Sequence, residues 1–477
     1  MSIAPFGILL ILFFTVFFIW HRKKPIEQVY KYFYILNIVS LLVLDLGQFM
    51  VLGSFIVEYN YVFSIISLIL AFLVLFRGKA RGLPFKLPIA FLIVIIAGIA
   101  LTFVLGRTYK SVGFGTAWDP YFESYDPLPN VGISMHSLMI LARSFIFLFC
   151  FSVFASVSRF DDIVTLMKVV YRVSIVVIFL SLLETVISNA ISPLIVREWG
   201  IALFGSSSAT YYLPRVSFGI FTPMLFMREP SSYCYACFLF GANALALGFV
   251  GSARIKKKVF VVFAIFALLL LLSGSLSGFI YLAVLVIVLF VLTKKKALFL
   301  SLAITIGVVG LILVSSLYGS RIEHLISGLS LIFTNEPSAI TRSSEIIRIY
   351  SWFNNIRLFL SHPLLGCGLG TVYSYSGIGT LLSNVGLLGT LLFALSVSQI
   401  TNRYFNTQRF SFFSLFIVVL AHLITGHVSY LLYLDRIALL FLVLKYVDLV
   451  RIKGIRRKAL PLKTYVAVCS LTEARIS

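Results

Sequence analysis

Two stretches of this chain carry side chains that could do chemistry. Residues 215–234, RVSFGIFTPMLFMREPSSYC, hold Arg215, Arg228 and Glu229 just before an apolar run. Residues 318–377 hold Arg321, His324, Arg342, Glu345, Arg348, Arg357 and His362. A guanidinium is a planar fork matched to phosphate oxygens, and it stays charged when partly desolvated. Several of them beside an apolar surface suit a lipid phosphate or pyrophosphate. A carboxylate among them, Glu229, is the type of group that accepts a proton from an attacking hydroxyl. Any single arginine is equally open to a plainer reading, in which it pairs with a local carboxylate or reaches to lipid head groups.

The elements that must hold these residues are membrane helices. The chain has 477 residues, 60% hydrophobic and 12% charged; a soluble domain carries about twice that charged fraction. Its apolar runs are long enough to cross a bilayer as helices. Thirteen spans are expected, near 3–20, 32–56, 61–76, 87–105, 136–156, 172–190, 232–250, 259–274, 276–293, 297–317, 378–400, 410–428 and 430–450. The fold class is thus an all-α polytopic membrane protein with a single transmembrane domain over residues 1–477. The second run contains Asp45 and Gly47, so it is kinked or re-entrant if it is one span. Alternating strands of a membrane barrel are missing from the pattern.

Basic clusters fall in every second loop: HRKK, RGKARGLPFK, SARIKKK, TKKK and RIKGIRRK. That side, with the basic tail 451–477, holds 27 of the 39 Lys and Arg, and the other side holds nine. The positive-inside rule makes the basic side cytoplasmic, with the N-terminus outside and the C-terminus inside. The net charge of +22 therefore reads as topology and not as a nucleic-acid partner. The first span has neither a basic leader nor an A-x-A site, so it is expected to be retained. Cytoplasmic loops are short and contain no GxxxxGK[ST], which argues against an ATP-driven pump.

Three long segments then lie outside: 106–135, 191–231 and 318–377. The first interleaves aromatics with Asp119, Glu123 and Asp126, a mixture that suits sugar rings or an interfacial aromatic belt. Of the nine outer cations, eight are Arg, against the bias that should deplete them. In the third segment, Asn335-Glu-Pro337 is a plausible helix start. From there to Leu360 the pattern is amphipathic. Ile346, Ile349, Tyr350, Phe353 and Ile356 share one face, and Glu345, Arg348, Trp352 and Asn355 the other. The apolar face is expected against the membrane domain, with Arg348 and Trp352 toward a cleft. Pro363 stops the helix after His362. Gly366, Gly368 and Gly370 then make a flexible turn or a close backbone approach. No strand precedes them, so a dinucleotide fold is excluded. Cys234-x-x-Cys237 has redox or metal spacing, but without a second pair it reads as two small residues in a membrane helix.

Three stretches together resemble a known family. PRVSFGIFTPMLFMREPSSYC resembles the R-x-x-G-x-F-x-E-P-S helix start of Wzy-type O-antigen and exopolysaccharide polymerases. RIYSWFNNIRLFLSHPLLGCGLG with NVGLLGTLLF resembles the R…W…HP-x-x-G-x-G…G-x-x-G block that these share with O-antigen ligases. LLSGSLSGFIYL resembles the family's Ser/Gly break between two spans. The resemblance covers about residues 210–400. It implies a GT-C-like membrane glycosyltransferase with an outer-face amphipathic helix, in the bacterial cytoplasmic membrane. The implied reaction transfers a glycan from undecaprenyl pyrophosphate to a hydroxyl of another lipid-linked repeat unit, with no cofactor and no metal. The implied partners are that lipid-linked oligosaccharide and membrane lipid. A chain-length regulator and a flippase of the same pathway are further candidates.

On this resemblance Arg215, Arg228, Arg348 and Arg342 bind pyrophosphate, and Trp352, His324 and His362 contact sugar. Glu229, Arg348 and Arg215 are the catalytic candidates, with Glu229 as general base. Glu229 beside Pro230 equally fits a simple helix start. Two departures stand out. TPMLFM lengthens the first motif between Phe221 and Glu229, and Tyr375-Ser376 stand where ligases carry a His-Asn pair. The second departure favours a polymerase over a ligase. A flippase of lipid-linked sugars also needs cations, and the intramembrane charges Asp45, Arg143, Glu184, Asp435 and Arg436 keep that reading open.

Overall fold

In the computed structural model the described residues are 2–3, 5–43, 48–52, 55–80, 82–104, 135–158, 160–204, 216–217, 220–221, 223, 230–250, 253–292, 352, 355–368, 376–405, 417–419, 421, 439–440 and 442–444. The helices are α1 (Pro5–His21), α2 (Ile26–Val43), α3 (Tyr59–Phe76), α4 (Lys86–Val104), α5 (Met135–Val157), α6 (Phe160–Ala190), α7 (Pro193–Phe204), α8 (Pro230–Val250), α9 (Ala253–Leu272), α10 (Leu276–Leu292) and α11 (Gly377–Phe405). Most bounds fall within a few residues of the apolar runs.

The run 32–56 is an exception. Its helix ends at Val43, and the remainder pairs as strands β2 (Gln48–Leu52) and β3 (Phe55–Glu58), with β1 (Ser2–Ile3) on the far edge of β2. Leu52 pairs with Phe55, so only Gly53 and Ser54 separate the paired ends. A Gly-containing two-residue connection between β-branched and aromatic residues is a hairpin signal, and here it outweighs the apolar character of the run. A second small pair, β4 (Val216–Ser217) with β5 (Ile220–Phe221), lies in the segment before α8. The all-α expectation is corrected to a predominantly helical fold with two small antiparallel sheets. Helix α6 also starts about three turns before the expected span, and Lys31 near the start of α2 pairs with its Asp162 at 3.0 Å. That pair sets the starts of α2 and α6 at one end of the bundle.

The core runs along α8. Residues Ser232 to Ala246 are buried on every side, as expected of a helix that is apolar all round. Small residues let neighbours approach: a Cβ on Gly241 would come 3.1 Å from Leu285 of α10, and one on Gly248 3.2 Å from Val259 of α9. Outside this core, large apolar side chains stand exposed in helical rows. Leu9, Leu12, Phe13 and Val16 do so on α1, Ile89, Ile93 and Ile96 on α4, and Val176, Phe179 and Val186 on α6. Water does not tolerate rows of that extent, whereas lipid does. Asp162–Ala190 and Gly377–Asn402 are long and apolar enough to cross a membrane, and seven shorter apolar helices accompany them among the described residues. The architecture is compatible with a polytopic membrane protein.

Candidate functional site

The block HPLLGCGLG…NVGLLG folds as an interlock. Helix α11 starts on Ser376, whose side-chain oxygen accepts from the Gly379 N–H at 3.0 Å and whose carbonyl accepts from the Thr380 N–H at 2.8 Å. That is an N-cap. The helix then breaks at Gly386, where φ is 66° and ψ −171°, a conformation open essentially to glycine alone. A first half, 377–385, is thereby separated from the remainder. A break strands backbone groups that no water can satisfy inside a membrane.

The turn 362–368 supplies their partners in both directions. The Cys367 and Gly368 N–H groups donate to the carbonyls of Ser383 and Asn384 at 2.7 and 2.9 Å. The Leu387 and Leu388 N–H groups donate to the carbonyls of Pro363 and Leu364 at 2.8 and 3.2 Å. This reciprocity needs backbone against backbone. A Cβ on Gly366, itself at φ +66°, would lie 2.5 Å from the carbonyl carbon of Asn384. The close approach expected of the glycine run is thus present, and its purpose is structural. The N–H groups of Gly366, Cys367 and Gly368 are all bonded to protein carbonyls, so they are not phosphate donors in this conformation.

The same block carries a side-chain contact. Residues 355–361 form a short helix. On it, Asn355 is 1% exposed, and its side-chain amide lies 3.1 Å from the Ser383 hydroxyl oxygen, which is also 3.2 Å from the Thr380 carbonyl. Asn355 belongs to the face expected to look toward a cleft. It packs on the first half of α11, while Ile356 from the apolar face is half-buried and Leu360 is exposed. The physical reason is the Ser383 hydroxyl, which gives a buried amide a partner there. Helix α4 backs the arrangement. A Cβ on its Gly98 would come 3.3 Å from the Leu365 carbonyl, and its Phe91 ring lies 5.4 Å from Phe393.

A second polar seam lies at the start of α8, directly after Pro230. Tyr233 donates to Ser181 of α6 at 2.9 Å, and Cys234 contacts Ser273 at 3.1 Å. Ser273 begins the Ser/Gly break between α9 and α10, where Gly274 takes φ +57°. Gly278 is essential to the fit, because its Cβ would lie 2.6 Å from the Leu270 carbonyl. Cys234 and Cys237 are both buried on α8, and no disulfide joins them. Higher on α6, Asn189 clasps the β4–β5 hairpin: its Oδ1 accepts from the Phe221 N–H at 2.9 Å and its Nδ2 donates to the Phe221 carbonyl at 3.3 Å. The hairpin's first strand follows Arg215 immediately. Of the intramembrane charges, Arg143 is buried with its guanidinium 4.4 Å from the Tyr61 ring centre, and Glu184 is buried on α6. Asp45, Asp435 and Arg436 lie outside the described residues.

Two of the expected site residues are described. Trp352 is helical and half-buried. His362 is half-buried at the mouth of the interlocked turn, where its carbonyl accepts from the Gly366 N–H at 3.0 Å. The Ser361 hydroxyl oxygen lies 2.8 Å from the Leu358 carbonyl and 2.7 Å from His362 Nδ1. Arg215, Arg228, Glu229, His324, Arg342 and Arg348 lie outside the described residues. Asn355, Ser383 and Asn189 carry contacts that the sequence pattern does not single out. An Asn on a polar helical face and a Ser in an apolar run are weak signals until the partner is known.

Comparison with known proteins adds one match. A family model described as O-antigen ligase covers residues 261–386, less than half of the chain, running from α9 to the Gly386 break. No curated protein matches the chain. The match, with the apolar helices, supports a membrane-embedded protein of the O-antigen ligase and polymerase superfamily with a role in glycan processing.

Proposed function

We propose that the protein is a polymerase of lipid-linked oligosaccharide repeat units, working at the outer face of the bacterial cytoplasmic membrane through about thirteen spans. In the reaction, the bond between the donor sugar's anomeric carbon and the pyrophosphate oxygen breaks. The acceptor hydroxyl oxygen bonds to that carbon, its proton passes to Glu229, and undecaprenyl pyrophosphate departs. Negative charge grows on the leaving group, so Arg215, Arg228, Arg342 and Arg348 lower the barrier if held against it; groups of this kind are worth about 10²–10³ in rate. Trp352, His324 and His362 line the sugar side.

The observation that carries the reading is the family match over residues 261–386, which takes in residues 318–377 and the interlock up to Gly386. Tyr375-Ser376, standing where ligases carry a His-Asn pair, supports polymerase over ligase, because the histidine is replaced. The description of the matched family as a ligase favours ligation as the second reading. Deleting the gene and resolving surface polysaccharide on a gel separates them. A polymerase deletion leaves single capped units without long chains. A ligase deletion accumulates lipid-linked polymer with no surface attachment. Units trapped inside the cell would overturn both in favour of a flippase.

A further inference from the structure

Helix α6 is longer than a bilayer needs. Its 31 residues extend about 46 Å, whereas the hydrocarbon of a bilayer is about 30 Å thick, or about 20 residues of helix. Counted back from Ala190, where the helix ends, about 20 residues reach Tyr171. The surplus lies at the start of the helix, and at its edge stand Lys168 and Arg172. Both are exposed. Their spacing of one turn puts them on one face, about 6 Å apart along the axis. Ile175, Val176, Phe179, Leu183 and Val186 continue the same exposed row. Two cations thus head an apolar strip at the depth where hydrocarbon gives way to head groups.

The acids of α6 do not neutralise this pair. None occurs between Asp162 and Glu184, and Asp162 is taken by Lys31 of α2 at 3.0 Å. Neither Lys168 nor Arg172 forms an ion pair among the described residues. Like charges one turn apart repel, and an anion set between them removes the repulsion. Neighbouring α9 adds to the positive charge. Asn243 of α8 donates to the Met167 carbonyl of α6 at 2.9 Å, and one turn further along α8 Gly248 faces Val259 of α9. The start of α9, with exposed Lys258, therefore lies at the same end of the bundle.

We infer that Lys168 and Arg172 bind the phosphate of an anionic phospholipid, whose acyl chain lies along Ile175, Val176 and Phe179. A planar guanidinium fork and a neighbouring ammonium match phosphate oxygens, and the apolar row gives the chain a surface that a free phosphate would leave unused. A zwitterionic head group carries its own cation, which the pair repels. Each basic side chain near a membrane surface favours anionic lipid by about fivefold, so two favour it by about 30-fold at low salt. The site lies apart from the residues proposed for glycan transfer and does not depend on that reaction.

The test uses the purified full-length protein in detergent micelles doped with equal amounts of phosphatidylglycerol and phosphatidylcholine of identical acyl chains. Native mass spectrometry at low salt counts the lipids retained. The parent should retain phosphatidylglycerol over phosphatidylcholine by about 30-fold at its tightest site. The double variant Lys168→Gln, Arg172→Gln should bring that preference to within about threefold. The charge-keeping double Lys168→Arg, Arg172→Lys should hold it. So should Arg77→Gln with Lys79→Gln, which removes two exposed cations from the turn after α3. A parent without preference overturns the proposal. Equal losses in the two glutamine doubles overturn it in favour of diffuse surface charge. Glycerol phosphate that displaces bound lipid as well as phosphatidylglycerol does overturns it in favour of a free anion.

Discussion

Replacing Gly386 with alanine tests the interlock most directly. The methyl group would overlap the carbonyl oxygen and carbon of Leu364 and lie 2.6 Å from the Leu365 nitrogen. These are backbone atoms in a turn that is itself hydrogen-bonded, so neither partner gives way cheaply. The dihedral strain alone costs about 1–3 kcal/mol. Separation of turn and helix would break the four backbone hydrogen bonds that join them, at about 1 kcal/mol each. The sum is about 5–7 kcal/mol, enough to unfold many proteins. Gly78→Ala is the control. Gly78 also has a positive φ, +65°, but its Cβ would meet nothing within 4 Å, so only the dihedral cost of about 1 kcal/mol applies. The assay is the thermal midpoint and folded yield of both variants in nanodiscs. Gly386→Ala should lose several times what Gly78→Ala loses, and Gly366→Ala should match it without adding to it in the double variant. Equal losses at positions 386 and 78 would refute the interlock.

Gly278→Ala should destabilise by about 1–3 kcal/mol, as overpacked cores do, because its Cβ would meet the Leu270 carbonyl at 2.6 Å; detergent melting curves check this. Tyr233→Phe removes the bond to Ser181 and should cost about 1 kcal/mol, read in the same melts. Asn189→Ala frees the β4–β5 hairpin from α6 and should lower polymer formation with little change in membrane insertion, measured by gel and by membrane fractionation. Arg348→Ala should abolish polymer while the protein still inserts; a wild-type chain-length distribution in that variant would remove Arg348 from the site.

Much of the helical framework is written in local pattern. Apolar runs bounded by basic clusters locate α1, α3, α4, α5, α8, α9 and α10 to within a few residues, and Pro230 marks the start of α8 because proline fits the first helical turn. The Ser/Gly break after α9 is equally readable. The hairpin at residues 48–58 is not, because its strands are as hydrophobic as a span and only the Gly53-Ser54 pair signals the turn. The early start of α6 is hidden for a different reason: its first turns mix Asp161, Asp162 and Lys168 with buried apolar residues, and Asp162 pairs with Lys31, a residue 131 positions away in sequence.

The glycines of the HPLLGCGLG and NVGLLG stretches divide the two kinds of information most sharply. Their sequence determines that backbone comes close to something. It does not say to what, since each glycine's constraint is the other segment's main chain. The face of the short helix 355–361 is likewise undecidable from periodicity, because a polar face turns inward only where a partner such as Ser383 waits. Hydrophobic pattern is a property of neighbours along the chain, so it is present in the sequence. Backbone satisfaction and buried polar pairing join residues distant in the chain, and only the assembled fold decides them.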